Sequence, residues 1–390
     1  MTAFFAKIIS FFMTVIMFLF PWANIPENKA ETDAWNTDYT CVFVHGLGGW
    51  GEYDAQNALV PYWGTLGGDC IKYLNARGFD CAAASVDPSG SAWDRACELY
   101  AQLTGTVVDY GAEHSERCNH ERFGKDYSCH PLISEFDAEH KINLFGHSFG
   151  GATILMLLDL LADGSEAEKA ATPANELSAL FEGGKADWVY SVTCLAAPMN
   201  GTTAVNCKDV IEADPNATAA DKTVVTMLTG IGYKRSDDRI IEDTAGWDMD
   251  IDVAMAMLDT FETQPDVYYF SLPTCSTETV DGVTSQIPGL TESIYAAAGA
   301  RMSVFTGETK NGYVIDESWQ PNDGLVNVKS ARAPFNAPQK DIDMDDIQPG
   351  IWNIYPTREG DHMSLMGGML INTPVRDLYA DMINTINTLG

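Results

Sequence analysis

The stretch that most constrains this chain is Gly146-His147-Ser148-Phe149-Gly150, a G-x-S-x-G pattern between a strand-length run at 141–145 and a helix-length apolar run at 150–161. In that setting the pattern predicts a sharp strand-to-helix turn that holds the serine at strained backbone angles. The glycines two residues to either side let helix and strand approach without a Cβ clash. The N-terminus of the new helix then favours the negative charge that develops during acyl transfer. A turn of this kind needs an α/β sheet around it, and the rest of the chain is patterned accordingly. Strand patterns are read at 39–44, 81–85, 188–195 and 267–272, and helix patterns at 70–75, 93–103 and 375–389. Strands alternating with helices of these lengths predict an α/β fold, a mostly parallel sheet with helices on both faces.

A serine nucleophile needs a base, and in this architecture the triad runs serine, acid, histidine along the chain. Of seven histidines only His362 follows Ser148, in Gly360-Asp361-His362-Met363 ahead of the closing helix. The acid is less determined, since many carboxylates lie between the two. Asp323 is the best placed, because Asn322-Asp323-Gly324 is a turn sequence that can hold a carboxylate rigidly near a sheet end. Asp361 is a poor rival: it adjoins His362 and would need a strained path to the ring. The developing oxyanion needs two backbone N–H donors. Phe149, next after the serine, supplies one, and Leu47 in the loop His45-Gly46-Leu47-Gly48-Gly49 is the expected second. A phosphate cradle is the competing use of such a loop, but no Gly-Lys-Ser/Thr follows it.

Composition removes other classes. With 55 Asp+Glu against 23 Lys+Arg the net charge is −32, while 46% hydrophobic residues suffice for a large core. So anionic a surface repels phosphate backbones, and no nucleic-acid partner is expected. Nine scattered cysteines include no C-x-x-C pair, which argues against a zinc ribbon or redox motif. At the N-terminus Lys7 precedes an apolar run at 8–20 that ends at Pro21. At thirteen residues the run is short for a membrane span, which needs about 20, and suits a secretory h-region. Residues 1–30 are therefore read as a signal peptide, with a short N-terminal anchor as the alternative. Residues 31–38 read as a linker and 39–390 as a single domain.

Longer motifs resemble the zinc-containing bacterial lipases of the Geobacillus and Staphylococcus type. The resemblance is carried by Val44-His45-Gly46-Leu47-Gly48-Gly49-Trp50-Gly51, Trp93-Asp94-Arg95-Ala96-Cys97 and Val108-Asp109-Tyr110-Gly111-Ala112-Glu113-His114. Ala197-Pro198-Met199-Asn200-Gly201-Thr202 and Asn322-Asp323-Gly324-Leu325-Val326-Asn327 continue it in the family's order, over nearly all of 39–389. It implies an α/β-hydrolase that cleaves carboxylic esters, usually acylglycerols, with Ser148, Asp323 and His362 as the triad and Leu47 and Phe149 as oxyanion donors. It also implies a structural zinc ion held by two Asp and two His, of which the first three fall on Asp94, His114 and His120. By spacing alone that trio is a weaker signal. His114 and His120 are six apart and would not share a helix face, so one must sit on a loop.

The chain departs from this family twice. It is shorter between Asn206 and Asp243, where the fourth zinc ligand and the lid belong. Asp238 is the expected substitute ligand, with Asp237 next, and 219–232 is either a reduced lid helix or a core-packing helix. After His362 no carboxylate appears before Asp377, so no calcium is expected there. These features together predict a secreted, triacylglycerol lipase-like serine hydrolase. It acts on an acyl ester or lipid through an acyl-enzyme, with transient contact to a lipid interface. The alternatives are a lid-poor carboxylesterase for short soluble esters and a non-catalytic lipid-binding surface protein.

Overall fold

The five apolar runs read as strands lie side by side in one seven-stranded sheet. Its strands are β1 (Thr40–Val44), β2 (Cys81–Ala84), β3 (Ile142–His147), β4 (Val189–Leu195), β5 (Tyr268–Leu272), β6 (Gln339–Asp341) and β7 (Trp352–Ile354). Their order is β6-β7-β5-β4-β3-β1-β2, and every pairing is parallel. This computed structural model describes residues 29–233, 240–291, 293–368 and 374–390. The expected leader, apart from Lys29 and Ala30, lies outside them. The central strands are buried along their length rather than alternating, because helices cover both faces of the sheet. Edge strand β6 reads Gln-Lys-Asp and is largely exposed. A short charged edge of this kind resists pairing with a second chain.

The helices that position the site are α1 (Cys70–Arg77), α2 (Ala92–Thr104), α3 (Ala112–Cys118), α4 (Phe149–Asp163), α5 (Thr203–Ala213), α6 (Ala219–Gly232), α7 (Ser293–Met302) and α8 (Arg376–Asn387). On one face, Leu99 and Leu103 of α2 and Ile154 and Leu158 of α4 pack on Val42, Val44 and Leu144. On the other, Leu74 of α1 and Tyr379 and Ile383 of α8 pack on Phe43, Phe145 and Phe270. Each of these fully buried side chains contributes roughly 1.5–3 kcal/mol of transfer free energy. Local signals set the helix ends. Asp69 accepts the Lys72 N–H at 3.0 Å, and Gly78 closes α1 at φ 102°.

Helices α5, α6 and α7 form a smaller layer over the carboxyl ends of the strands. Val224 and Leu228 of α6 are buried against Ala204, Cys207 and Ile211 of α5 and Ala298 and Met302 of α7. Asp221 completes a capping box with Thr218 and accepts the Arg301 Nε–H at 2.7 Å, tying α6 to α7. The segment 219–232 is thus a packed amphipathic helix. All nine cysteines are free thiols and seven are buried, two of them, Cys41 and Cys81, register partners on β1 and β2. No helix among the described residues is long and apolar enough to cross a membrane.

Candidate active site

Parallel sheets bind ligands beyond the carboxyl ends of their strands. Here β1 runs into 45–50, β3 into Ser148, β4 into 196–202 and β5 into 273–277. Ser148 stands between β3 and α4 with φ 56° and ψ −130°, a conformation that costs a non-glycine residue about 1–3 kcal/mol. The neighbouring glycines make the turn sterically feasible. A Cβ on Gly150 would lie 2.2 Å from the Val44 carbonyl oxygen, and one on Gly146 2.5 Å from that of Gly150.

The structure brings Ser148, His362 and Asp323 together in a buried line. His362 Nε2 is 2.8 Å from Ser148 Oγ, and His362 Nδ1 is 2.8 Å from Asp323 Oδ2. Asp323 is otherwise saturated: Oδ2 accepts the Thr274 hydroxyl at 2.7 Å, and Oδ1 accepts the Leu325 and Val326 amides at 3.1 and 2.8 Å. Burial would raise the Asp323 carboxyl. The facing His362, with hydrogen bonds from His362, Thr274 and the Val326 amide, outweighs it and holds the group below the ordinary value. An ionised Asp323 requires the proton on His362 Nδ1, which leaves the Nε2 lone pair on the serine hydroxyl. The His362 amide also donates to the Asp323 carbonyl at 2.9 Å, so the acid and base loops are joined twice.

Phe149 opens α4, where first-turn N–H groups have no intrahelical acceptor. In the facing loop the Gly46, Gly48 and Gly49 amides are committed to Tyr62 Oη, the Pro88 carbonyl and the Gly46 carbonyl at 3.0, 2.8 and 3.2 Å. Among the described residues no such bond takes up the Leu47 N–H, which makes it the candidate donor to a ligand. Its direction is set from the other end of the same peptide, because His45 Nδ1 lies 2.8 Å from the Gly46 carbonyl oxygen. The Val86 amide donates to His45 Nε2 at 3.2 Å, which fixes the proton on Nδ1. Burial and the neighbouring Arg95 push His45 down to about 3, so the ring stays neutral. Arg95 itself is fully buried. It donates to the His45 carbonyl and, at 2.8 Å, to Thr153 Oγ1, while its guanidinium lies 5.2 Å from the centre of the Phe149 ring. One cation therefore braces both segments that carry the candidate oxyanion donors.

In front of Ser148 and His362 lies a cleft of about 560 Å³ walled by Leu47, Val205, Leu228, Met249, Tyr295 and Leu325. Such a wall suits an acyl chain better than a charged substrate.

The family model described as lipase-like, C-terminal domain matches residues 37–237, just over half of the chain. The structure of EstA from Clostridium botulinum is similar with a TM-score of 0.76 at 31% identity, covering 91% of this chain and 88% of that one. Lipase 1 from Pelosinus fermentans gives 0.73 at 30% identity, over 90% and 99% of the two chains. The chain belongs to this lipase family. In sequence it is also 30% identical to the lipase of Staphylococcus hyicus, over 89% of this chain and 56% of that one. The lipase-family chain thus spans about half the length of the staphylococcal lipases it matches. The sheet and its helical layers are those of an α/β-hydrolase.

A second cluster of the lipase-family chain lies beside α2. Asp94, His114, His120 and Asp243 each present one ligand atom, all within 4.8 Å of one another. Asp94 comes from the first turn of α2 and His114 from α3. Asn119 ends α3 at φ 59°, and the turn swings His120 off the helix and back onto the cluster. His114 Nε2 is 3.0 Å from Asp94 Oδ1, and His120 Nε2 is 3.8 Å from the same oxygen. The His120 Nδ1–H is taken up by the Glu121 carbonyl at 2.8 Å, so its Nε2 lone pair faces inward, buried and without a hydrogen bond. An orphaned imidazole nitrogen among two carboxylates and a second imidazole is a donor set that fits a metal ion.

Asp238, expected from the sequence, lies outside the described residues along with Asp237, and among the described residues the fourth carboxylate is that of Asp243. The reason is local: the Ala245 N–H donates to the Ser89 carbonyl at 3.0 Å and Ser91 Oγ donates to Asp243 Oδ1 at 2.7 Å, pinning 243–245 against the start of α2. An Asp immediately before Thr244, the N-cap of a short helix, was the available sequence signal. Arg95, Tyr62 and His147 were also missed as site residues, and their roles depend on contacts across 50 or more positions of chain.

Proposed function

We propose that this chain is a secreted serine carboxylester hydrolase of the lipase type. Residues 39–390 form its single catalytic domain, behind a signal segment at 1–30. The observation that carries the reading is the unbroken line from Ser148 Oγ through the His362 ring to Asp323, at 2.8 Å on each side. In the reaction Ser148 Oγ attacks the ester carbonyl while His362 Nε2 takes its proton. The resulting imidazolium is stabilised by Asp323, and the Leu47 and Phe149 N–H groups hold the oxyanion. His362 then protonates the leaving alkoxide, and a water that it deprotonates releases the acid from Ser148. The apolar cleft supports an acyl ester or lipid as substrate. Asp94, His114, His120 and Asp243 would hold a zinc ion whose contribution is structural, tying 243–249, and with it the cleft residue Met249, to α2 and α3.

The test is Ser148→Ala with p-nitrophenyl esters. kcat is expected to fall by about 10⁶-fold while circular dichroism stays native; near-wild-type turnover would overturn the reading. Covalent labelling of Ser148 by a fluorophosphonate separates the hydrolase from a non-catalytic lipid binder. The packing of α6 supports a second reading within the class, a lid-poor esterase for short soluble esters. Comparing short- and long-chain esters with and without an emulsified interface distinguishes the two.

A further inference from the structure

His147 and Tyr62 take no part in the steps above, yet both are buried beside the reacting groups, 1% and 3% exposed. They form one continuous path. The Gly46 amide of the oxyanion loop donates to Tyr62 Oη at 3.0 Å, Tyr62 Oη is 2.7 Å from His147 Nδ1, and His147 Nε2 is 2.9 Å from the His362 carbonyl oxygen. The protons on this path have one consistent arrangement. A carbonyl only accepts, so His147 Nε2 carries the hydrogen and Nδ1 accepts. Tyr62, already accepting from Gly46, therefore donates its O–H to His147. Burial, then the nearby His362, push His147 down to about 3, so the ring is neutral. That suits its place, since the His362 ring 4.9 Å away must become a cation during catalysis.

We propose that Tyr62 and His147 are positioning residues that hold the oxyanion loop and the general base in register through this chain of hydrogen bonds. The proposal rests on the ester hydrolase reading. His362 sits on a loop and short 3-10 turn rather than on the sheet, and the His147 Nε2–H donates to its carbonyl from the end of β3. Gly46 belongs to the loop that aims the Leu47 N–H. Breaking any one link uncouples the oxyanion loop from the base loop, so its members act in series.

The experiment uses the full chain and counts active sites by fluorophosphonate titration, so that kcat is per competent enzyme. Tyr62→Phe keeps the ring packed on Trp50 and Trp63 and removes only the hydroxyl. It and His147→Leu are each expected to lower kcat about tenfold to a hundredfold, as small misplacements of a base do, with KM for a soluble ester nearly unchanged. His147→Gln, which keeps a donor for the His362 carbonyl, should recover most of the loss. The double variant should be no worse than the worse single one, because a series chain is broken only once. Wild-type kcat per titrated site in Tyr62→Phe, or fully additive losses in the double variant, would overturn the proposal even if Tm fell, since lowered Tm alone is what a merely structural pair predicts. Should His147→Leu fail to fold, Tyr62→Phe and His147→Gln still decide it. A wild-type protein that neither hydrolyses esters nor takes the label would overturn the hydrolase reading instead.

Discussion

Ser148 and Asp323 show how the site spends local stability on orientation. The serine occupies a backbone conformation that only its two glycine neighbours make affordable, and the aspartate is buried as an anion against four hydrogen-bond donors. Both positions were legible in the sequence, the first from a five-residue pattern and the second from a turn-forming Asn-Asp-Gly. The supporting residues were not, because nothing in the neighbourhood of Arg95 or Tyr62 announces a partner far along the chain. Asp323→Asn should reverse the hydrogen-bond polarity at His362 Nδ1 and impose the wrong tautomer, lowering kcat by about 10⁴-fold. The same variant has a pH signature. A carboxyl whose folded value lies below its ordinary 3.8 contributes stability that is present above that pH and is lost as the pH falls through the folded value. Thermal melts between pH 5 and pH 3 should therefore show a shallower acid loss of Tm for Asp323→Asn than for wild type. Parallel curves would exclude that linkage.

At the scale of elements, legibility followed length. β3 and α4 were read correctly because long apolar runs leave no competing pattern, whereas β6 and β7 are three residues each, too short to show any periodicity. The candidate metal cluster needs three elements at once: the first turn of α2, α3 with the turn after it, and the segment before Thr244. Spacing alone marks Asp94 and the His114/His120 pair only weakly, and the family resemblance is what singles them out. The third, carrying Asp243, is set by packing against Ser89 and Ser91, which no local sequence pattern marks. Asp243→Ala should lower zinc affinity by about a hundredfold, removing about 3 kcal/mol of metal-linked stability at saturating zinc. Asp238→Ala should leave about one zinc per chain. Elemental analysis of the two variants after metal-limited purification, with Tm in the presence and absence of chelator, checks both. Loss of zinc from Asp238→Ala with retention in Asp243→Ala would reverse the assignment.

For the whole molecule, the charge of −32 bears on where the proposed hydrolysis can take place. A net charge of this size sets up a field that acts beyond any single contact and decays over the Debye length. A neutral ester aggregate can approach the cleft, while one carrying anionic headgroups or accumulated fatty acid is repelled. The cleft lining is apolar and cannot compensate that repulsion with cationic side chains. Hydrolysis of a long-chain ester presented in zwitterionic vesicles should therefore fall several-fold when part of the lipid is replaced by an anionic one. Raising the salt from about 0.1 M to about 1 M, which shortens the Debye length from about 10 Å to about 3 Å, should restore most of the rate. A soluble short-chain ester, hydrolysed without an interface, should respond to neither change. Equal rates on the two vesicle types at low salt would mean that the charge serves solubility alone.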